Sequence, residues 1–303
     1  MLDIAIIGGG PAGLAAGLYA VRGGGNVCLF EEMFAGGQIV KTHRIDNYPG
    51  ISDGPDGYAL AARFEEHAAA FGLKIEYGSV SELVLTEDPK HFLFNGERIE
   101  AKTVILATGA SPKTLDIPGE KELTGHGVSY CATCDGAFYK NRTATVIGGG
   151  DTAISDALYL AKLCQKVYVV HRRDALRASA ILSDAAQKTE NIEFVWNSVP
   201  EAFLGEKKLS GVRLKNRVTG EVSDLETDGV FVAVGVVPRT ELVKDQVALS
   251  ENGSVITDAN MKTNVPGVFA AGDVRNTPLR QVVTACADGA IAATYALEDA
   301  RVK

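Results

Sequence analysis

The chain has 303 residues, above the usual size of one domain, so two domains are the expectation. With 46% hydrophobic and 22% charged residues it reads as a packed α/β protein, which excludes disorder. A formal charge of −8 gives no footprint for nucleic acid or anionic lipid, and no apolar run reaches the ~18–20 residues of a membrane span.

The first residues, "MLDIAIIGGGPAG", lack a basic stretch ahead of their short apolar run, so no signal peptide is expected and the protein is expected in the cytoplasm. Residues 4–32, "IAIIGGGPAGLAAGLYAVRGGGNVCLFEE", run as an apolar strand, a glycine turn, an alanine-rich helix and a second apolar strand. Gly8, Gly10 and Gly13 have the spacing that permits a tight turn, close approach of a pyrophosphate, and close packing of helix on strand. Pyrophosphate would then sit at a helix N-terminus. Glu31, 18 residues after Gly13, ends the second strand, where a carboxylate accepts a hydrogen bond from a ribose hydroxyl. A carboxylate repels a 2′-phosphate, so this copy is expected to take an adenine dinucleotide that lacks one.

Further along, "TVILATGASP" (103–112) is a buried strand ending in a tight turn. The proline-containing stretches at 111–120 and 235–242 read as extended connectors. Between them lies "CATCDG", residues 131–136. A structural zinc site needs four Cys or His ligands. Here Cys28, Cys164 and Cys286 are dispersed in apolar patterns and His126 is the nearby imidazole, which argues against zinc. Two readings of Cys131 and Cys134 stay open on the residues alone: a chance pair, or an exchangeable dithiol whose short spacing lowers one thiol pKa. Asp135 reads either as an acid/base for that pair or as an exposed capping residue. The other three cysteines are expected as buried, small apolar side chains. His43, His67 and His91 are expected at the surface or in packing.

The strand–turn–helix–strand pattern recurs 140 residues later as "TATVIGGGDTAISDALYLAKLCQKVYVVHRRD". Gly148 and Gly150 repeat the first two glycines, and Ala153 takes the place of the third. One such motif also serves packing alone; two, each between strand and helix, point to two nucleotide-binding folds in one chain. The position equivalent to Glu31 is His171, followed by Arg172, Arg173 and Arg177. A basic cluster there pairs with a 2′-phosphate, so the second copy is expected to bind NADP(H) unless the cluster is only a solvated turn. Finally, "GVFAAGDV" (267–274) delivers Asp273 at the end of a strand, and "RQVVTACADGAIAATYAL" (280–297) begins a helix that can face a polar ligand. These segments complete the first domain, which makes the second an insertion. The expected division is 1–112 and 240–303 for the first domain, and 113–239 for the inserted one.

Taken together, "GGQI", "DNYPG", "ATGA", "CATCDG", "HRRDALRA", "GVFAAGDV", "RQVVTA" and both glycine motifs resemble the low-molecular-weight, bacterial-type thioredoxin reductases over essentially the whole chain. The resemblance implies an α/β fold of two Rossmann-like domains, with an NADPH domain inserted into a discontinuous FAD domain, and a homodimer. It implies FAD contacts from Gly8, Gly10, Pro11, Ala12 and Gly13, from Glu31, Gly37, Gln38, Asn47, Val80 and Thr108, and from Asp273, Arg280, Gln281 and Val282. For NADPH it implies Gly148, Gly150, Asp151, Thr152, Ala153, His171, Arg172, Arg173 and Arg177. No metal is implied. Electrons would pass from NADPH through FAD to a Cys131–Cys134 disulfide and on to thioredoxin. Cys134 would face the flavin, Cys131 would attack the substrate, and Asp135 would carry protons. Because dithiol and nicotinamide share the inserted domain and both must reach one flavin, the connectors at Pro112 and Pro238 are expected to act as a double hinge. Two departures from the family stand out: Ala287 for the usual Gly, and Arg239 for the usual Asn. A reductase for another acceptor and a non-catalytic NADPH or redox sensor are the competing readings.

Overall fold

The structure is a computed structural model that describes residues 1–42, 45 and 47–302. His43 and the aspartate of "DNYPG", Asp46, lie outside the described residues. The chain divides into two compact units, Met1–Ser111 with Val237–Lys303, and Pro112–Val236.

The first unit begins with β1 (Leu2–Ile7), α1 (Pro11–Arg22) and β2 (Val27–Glu31). Then come α2 (Gly57–Ala70), β3 (Lys74–Tyr77), β4 (Val80–Val84), β5 (Lys90–Phe94) and the ten-residue β6 (Glu97–Leu106). The strands lie in the order β3-β2-β1-β6-β5-β4. β1 pairs in parallel with β2 and β6, while β4 and β5 form an antiparallel hairpin on the N-terminal half of β6. From Ile4 to Ile7, β1 is apolar without interruption because both its faces are covered there. Ile4 and Ile6 join one core with Leu14, Ala16 and Leu29; Ala5 and Ile7 join another with Phe30, Phe92 and Leu106. Cys28 is buried in that second core.

The chain leaves and re-enters this unit through Ala110–Pro112 and Val236–Pro238, which pair as a two-stranded ribbon. The second unit contains β7 (Val128–Ser129), α3 (Ala132–Asp135), β8 (Thr143–Ile147), α4 (Asp151–Ala161), β9 (Lys166–Val170), α5 (Ala180–Gln187) and β10 (Ile192–Val195). An antiparallel meander follows, β11 (Ser198–Leu204), β12 (Gly211–Asn216) and β13 (Val222–Glu226), and then β14 (Gly229–Val232). The sheet runs β10-β9-β8-β14-β7 with every pairing parallel. Its plan repeats the first: helices on one face, packed through Val146, Ala153, Ile154, Ala157 and Leu160, and the meander on the other, packed through Ile147, Val170, Val212 and Val230. Cys164 is buried on the helix side.

Back in the first unit, β15 (Val268–Ala270) pairs in parallel with the C-terminal half of β6, and the chain ends in α6 (Val282–Val302). Cys286 in α6 is half-buried, more accessible than the other two free cysteines. Among the described residues no helix is long and apolar enough to cross a membrane.

In the first unit α6 packs directly on α1. A Cβ on Gly289 would overlap the Ala12 carbonyl oxygen. In an unobstructed helix Gly→Ala stabilises by up to about 1 kcal/mol. Here the methyl has to push backbone away, so Gly289→Ala is expected to destabilise by about 1–3 kcal/mol. Thermal unfolding checks the sign: the midpoint falls, whereas a rise would show that the helices have room to move apart.

Candidate functional site

Each unit presents the same three parts at the C-terminal ends of its parallel strands: a glycine turn, an uncapped helix N-terminus, and a side chain from the end of the second strand. In the first unit Gly8 turns at φ +108, a conformation open to glycine at little cost. A Cβ on Gly13 would overlap the Gly8 carbonyl oxygen, so the helix sits as close to the turn as glycine allows. Gly10 is the N-cap of α1 and Pro11 opens its first turn, with no side chain capping the N–H groups there. Pro supplies the helical φ and has no N–H to satisfy. The second strand delivers Glu31, whose Oε2 accepts from Gly9 N–H at 2.6 Å and whose Oε1 accepts from Met33 N–H at 3.3 Å.

The remaining sequence-predicted residues of this unit fall into two groups. Gly37 and Gln38 open the 3-10 turn Gly37–Lys41, and a Cβ on Gly37 would lie 3.2 Å from Gly10 Cα, so that turn borders the glycine loop. Asn47 Nδ2 donates to Gln281 Oε1 at 3.0 Å, which joins the "DNYPG" segment to the start of α6 and Val282. Asp273 lies in the 3-10 turn Gly272–Val274 directly after β15. Burial pushes its carboxyl above the usual carboxylate range, the Arg280 charge pulls it back, and Asp288 adds to the rise. Arg280 Nε is buried with no hydrogen-bond partner among the described residues. The second group is held by other contacts, although a Cβ on Gly8 would lie 3.1 Å from the Thr108 nitrogen. Thr108 Oγ1 donates to the Arg239 carbonyl at 2.7 Å, and Val80 begins β4 opposite Phe94. Arg239, the departure from the family's Asn, donates through Nε to Ser111 Oγ at 3.1 Å.

In the second unit Gly148 turns at φ +154 and Gly150 is the N-cap of α4, again without a side-chain cap. Ala153 is fully buried beside the turn. Asp151 Oδ1 accepts from Ser179 N–H at 2.7 Å, and Thr152 is exposed in the first helical turn. His171 stands where Glu31 stands in the first unit, with its ring packed so closely on Gly149 that a Cβ there would overlap it. Burial lowers the His171 pKa, a hydrogen bond with the Ala175 backbone opposes that, and the neighbouring Arg172, Arg177 and Arg173 charges lower it again, so the net shift favours the neutral ring. Its Nε2 is buried without a partner among the described residues. Trp196 sits edge-on to the ring at 6.4 Å and stacks on Phe194. Arg172, Arg173 and Arg177 are exposed, and Arg177 N–H donates to the Gly149 carbonyl at 2.7 Å, drawing this basic segment over the glycine turn.

The cysteine pair is a disulfide, with Cα atoms 5.3 Å apart. Cys131 is the N-cap of α3 and Cys134 lies within that helix. Asp135, its last residue, accepts from Ser129 Oγ through Oδ2 at 2.7 Å. The residue before Cys131 is anchored separately. Tyr130 donates its hydroxyl to Glu120 Oε1 at 2.8 Å, and the buried Glu120 carboxylate also accepts from the Leu115 and Asp116 N–H groups. Among the described residues no group of three or more His, Cys, Asp or Glu side chains is placed to hold a metal ion.

Sequence reasoning missed Ser129, Glu120, and the pair Arg275 and Asp288. Asp288 Oδ2 accepts from Gly272 N–H at 3.1 Å and from Arg275 Nη1 at 3.0 Å, and Arg275 Nε donates to Thr257 Oγ1 at 2.7 Å. This clamps the turn that carries Asp273. The only signal for it was an acidic residue in an otherwise apolar helix pattern.

The donor sets fit two dinucleotides. Uncapped N–H groups at a helix N-terminus suit a pyrophosphate, Arg280 offers a buried unmet donor, and the basic segment beside Gly150 suits a further phosphate. The family model described as "Pyridine nucleotide-disulphide oxidoreductase" matches residues 2–289. A thioredoxin reductase of Peptoclostridium acidaminophilum is 49% identical, with 97% of this chain and 95% of that protein covered. One from Listeria monocytogenes is 44% identical over 96% and 91%. The crystal structure of thioredoxin reductase from Streptococcus pyogenes superposes with a TM-score of 0.91 at 44% identity, covering 100% of this chain and 99% of that one.

The Asp288 clamp carries its own prediction. Both side chains of the Arg275–Asp288 pair are 11% exposed, so removing the carboxylate strands a guanidinium out of water. Asp288→Ala is expected to cost about 3–5 kcal/mol, read as a lower midpoint in denaturant. Asp288→Asn, which can still accept from Gly272 N–H, should recover part of the loss. An unchanged midpoint in the alanine variant would mean the pair is solvated and does not hold the turn.

Proposed function

The chain belongs to the pyridine nucleotide-disulphide oxidoreductase family, and from that premise we propose that it is an NADPH-dependent flavoprotein that reduces the disulfide of thioredoxin. The observation that carries this reading is the Cys131–Cys134 disulfide, built into the same unit as a glycine turn flanked by Arg172, Arg173 and Arg177. Bound FAD supplies a two-electron relay between a nicotinamide and a disulfide. In the proposal the first unit holds it. Gly8, Gly10 and Gly13 leave room for its pyrophosphate at the N-terminus of α1. Glu31 accepts from the ribose, and Asp273 and Arg280 present polar groups from the C-terminal segment. The second unit holds NADPH, with Gly148, Gly150 and Ala153 under the pyrophosphate and the three arginines on the 2′-phosphate.

Residues of the chain then complete the exchange. Once the pair is reduced, Cys131 gives up its proton and its thiolate attacks one sulfur of the thioredoxin disulfide, forming a mixed disulfide and expelling the other sulfur as a thiolate. Cys134 gives up its proton and attacks Cys131 Sγ. The mixed bond breaks, the Cys131–Cys134 bond forms, and the second thioredoxin sulfur leaves. Two electrons pass from dithiol to disulfide, and the two protons of the dithiol end on thioredoxin. Asp135 is the proposed carrier of the proton that the leaving thiolate needs. A homodimer and a cytoplasmic setting belong to the same proposal and rest on the family resemblance.

The retained arginines favour NADPH over another electron donor. Each charge-assisted bond to the 2′-phosphate is worth about 1.5–3 kcal/mol. Arg172→Ala with Arg173→Ala is therefore expected to weaken NADPH at least roughly tenfold while leaving NADH near its wild-type affinity. Steady-state thioredoxin reduction with each cofactor measures this. Equal losses for both would reduce "HRRDALR" to a solvated turn and remove the basis for the choice of cofactor.

A further inference from the structure

We propose that Ser129 is a positioning residue for thiol–disulfide exchange, its hydroxyl tying the Asp135 carboxylate to the backbone that carries Cys131. The inference rests on the assignment of Cys131, Cys134 and Asp135 to that exchange. Ser129 ends β7 and is 6% exposed. Its Oγ donates to Asp135 Oδ2 at 2.7 Å and accepts from Cys131 N–H at 3.1 Å. A hydroxyl has one proton to give and lone pairs to receive with, so the two bonds coexist. The Cys131 carbonyl, 3.4 Å from the same oxygen, competes for that one proton. The carboxylate is closer and charged, and it prevails.

The arrangement spans both ends of the dithiol helix. α3 has only four residues, Cys131 is its N-cap and Asp135 its last residue. A helix this short lacks the cooperative ladder that would fix its direction, so its orientation must come from outside. Ala132 anchors it in the helix-side core, and Ser129 adds a polar tie from a strand held in parallel register with β14, Val128 opposite Val230 and Ser129 opposite Phe231. One buried oxygen therefore links the carboxylate directly to the Cys131 backbone.

The same bond acts on proton transfer. A hydrogen bond donated to a carboxylate favours its charged form, so Ser129 makes Asp135 readier to release the proton that an expelled thiolate takes up. Tyr139 is a titratable neighbour whose phenol responds to Asp135. Burial raises its pKa first, Asp135 raises it next, and Arg142, Asp228 and Cys164 act on the same ring. All of these groups remain in a Ser129 variant, so a difference between variants isolates the hydroxyl.

The test is the pH dependence of thioredoxin reduction by the holoenzyme with Ser129→Ala and Ser129→Thr, using Asp135→Asn to identify the limb that the carboxyl produces. In Ser129→Ala that limb is expected to move to higher pH by about one unit. Ser129→Thr keeps the hydroxyl on a residue that suits a strand and should follow the wild type. An alanine profile that coincides with wild type, or a threonine profile displaced as far as alanine, overturns the role of Ser129 and leaves Asp135 in place. Full activity of Asp135→Asn at every pH overturns both assignments.

Discussion

The structure depends on how closely α1 approaches the turn that precedes it. Gly13 has no side chain, so the helix packs against the Gly8 carbonyl, where any Cβ would overlap. This aims the uncapped N–H groups of the helix at the end of the sheet. The charge there is partial and positive, which suits a pyrophosphate better than any single lysine would, since no side-chain entropy is lost in holding it. The same constraint fixes α6, because Gly289 lies against the Ala12 carbonyl of α1. α6 in turn carries Asp288 under the turn of Asp273 and begins beside Asn47. Three segments far apart in the chain are thus referred to two glycine contacts on α1.

The second unit has Ala153 in place of the third glycine, its methyl packed against the Gly148 turn, and the two units differ where their chemistry has to differ. At the end of the second strand, Glu31 bonds the middle glycine of its turn through a carboxylate, while His171 packs a neutral ring on the corresponding Gly149. A negative group there turns a 2′-phosphate away. A neutral ring followed by arginines admits one. The dithiol lies in the unit with the basic segment, its helix too short to hold itself and secured through Ser129 on one side and through Tyr130 and Glu120 on the other. Such outer contacts are what keep reacting groups within the narrow tolerances that chemistry requires.

The α/β class and the two strand–turn–helix–strand units were legible in the sequence because their signals are contiguous: an apolar run, glycines at fixed spacing, then an alanine-rich helix. The cysteine pair was legible for the same reason, and in the structure its two sulfurs form a disulfide. Ser129, Glu120, Arg275 and Asp288 were not, because their meaning is tertiary. Ser129 lies in a two-residue strand with no periodicity to read, and Glu120 reaches Tyr130 only after the chain has turned back on itself. Asp288 looks like a misplaced charge until Arg275 and Gly272 N–H are brought to it. Cys286 was read as one more buried apolar residue. In the fold it is half-buried beside Tyr48, whose phenol is pushed up to about 12, first by burial and then by the Cys286 thiol.

The central claim is that reducing equivalents from NADPH come to rest on one pair of sulfurs. It is tested most directly by reducing the holoenzyme with NADPH in the absence of oxygen and thioredoxin, alkylating it under denaturing conditions, and locating the newly labelled thiols by peptide mass spectrometry. The account predicts two new labels for each chain, one on Cys131 and one on Cys134, with Cys28, Cys164 and Cys286 labelled equally before and after reduction. A flavin that bleaches with NADPH while Cys131 and Cys134 gain no label would contradict it.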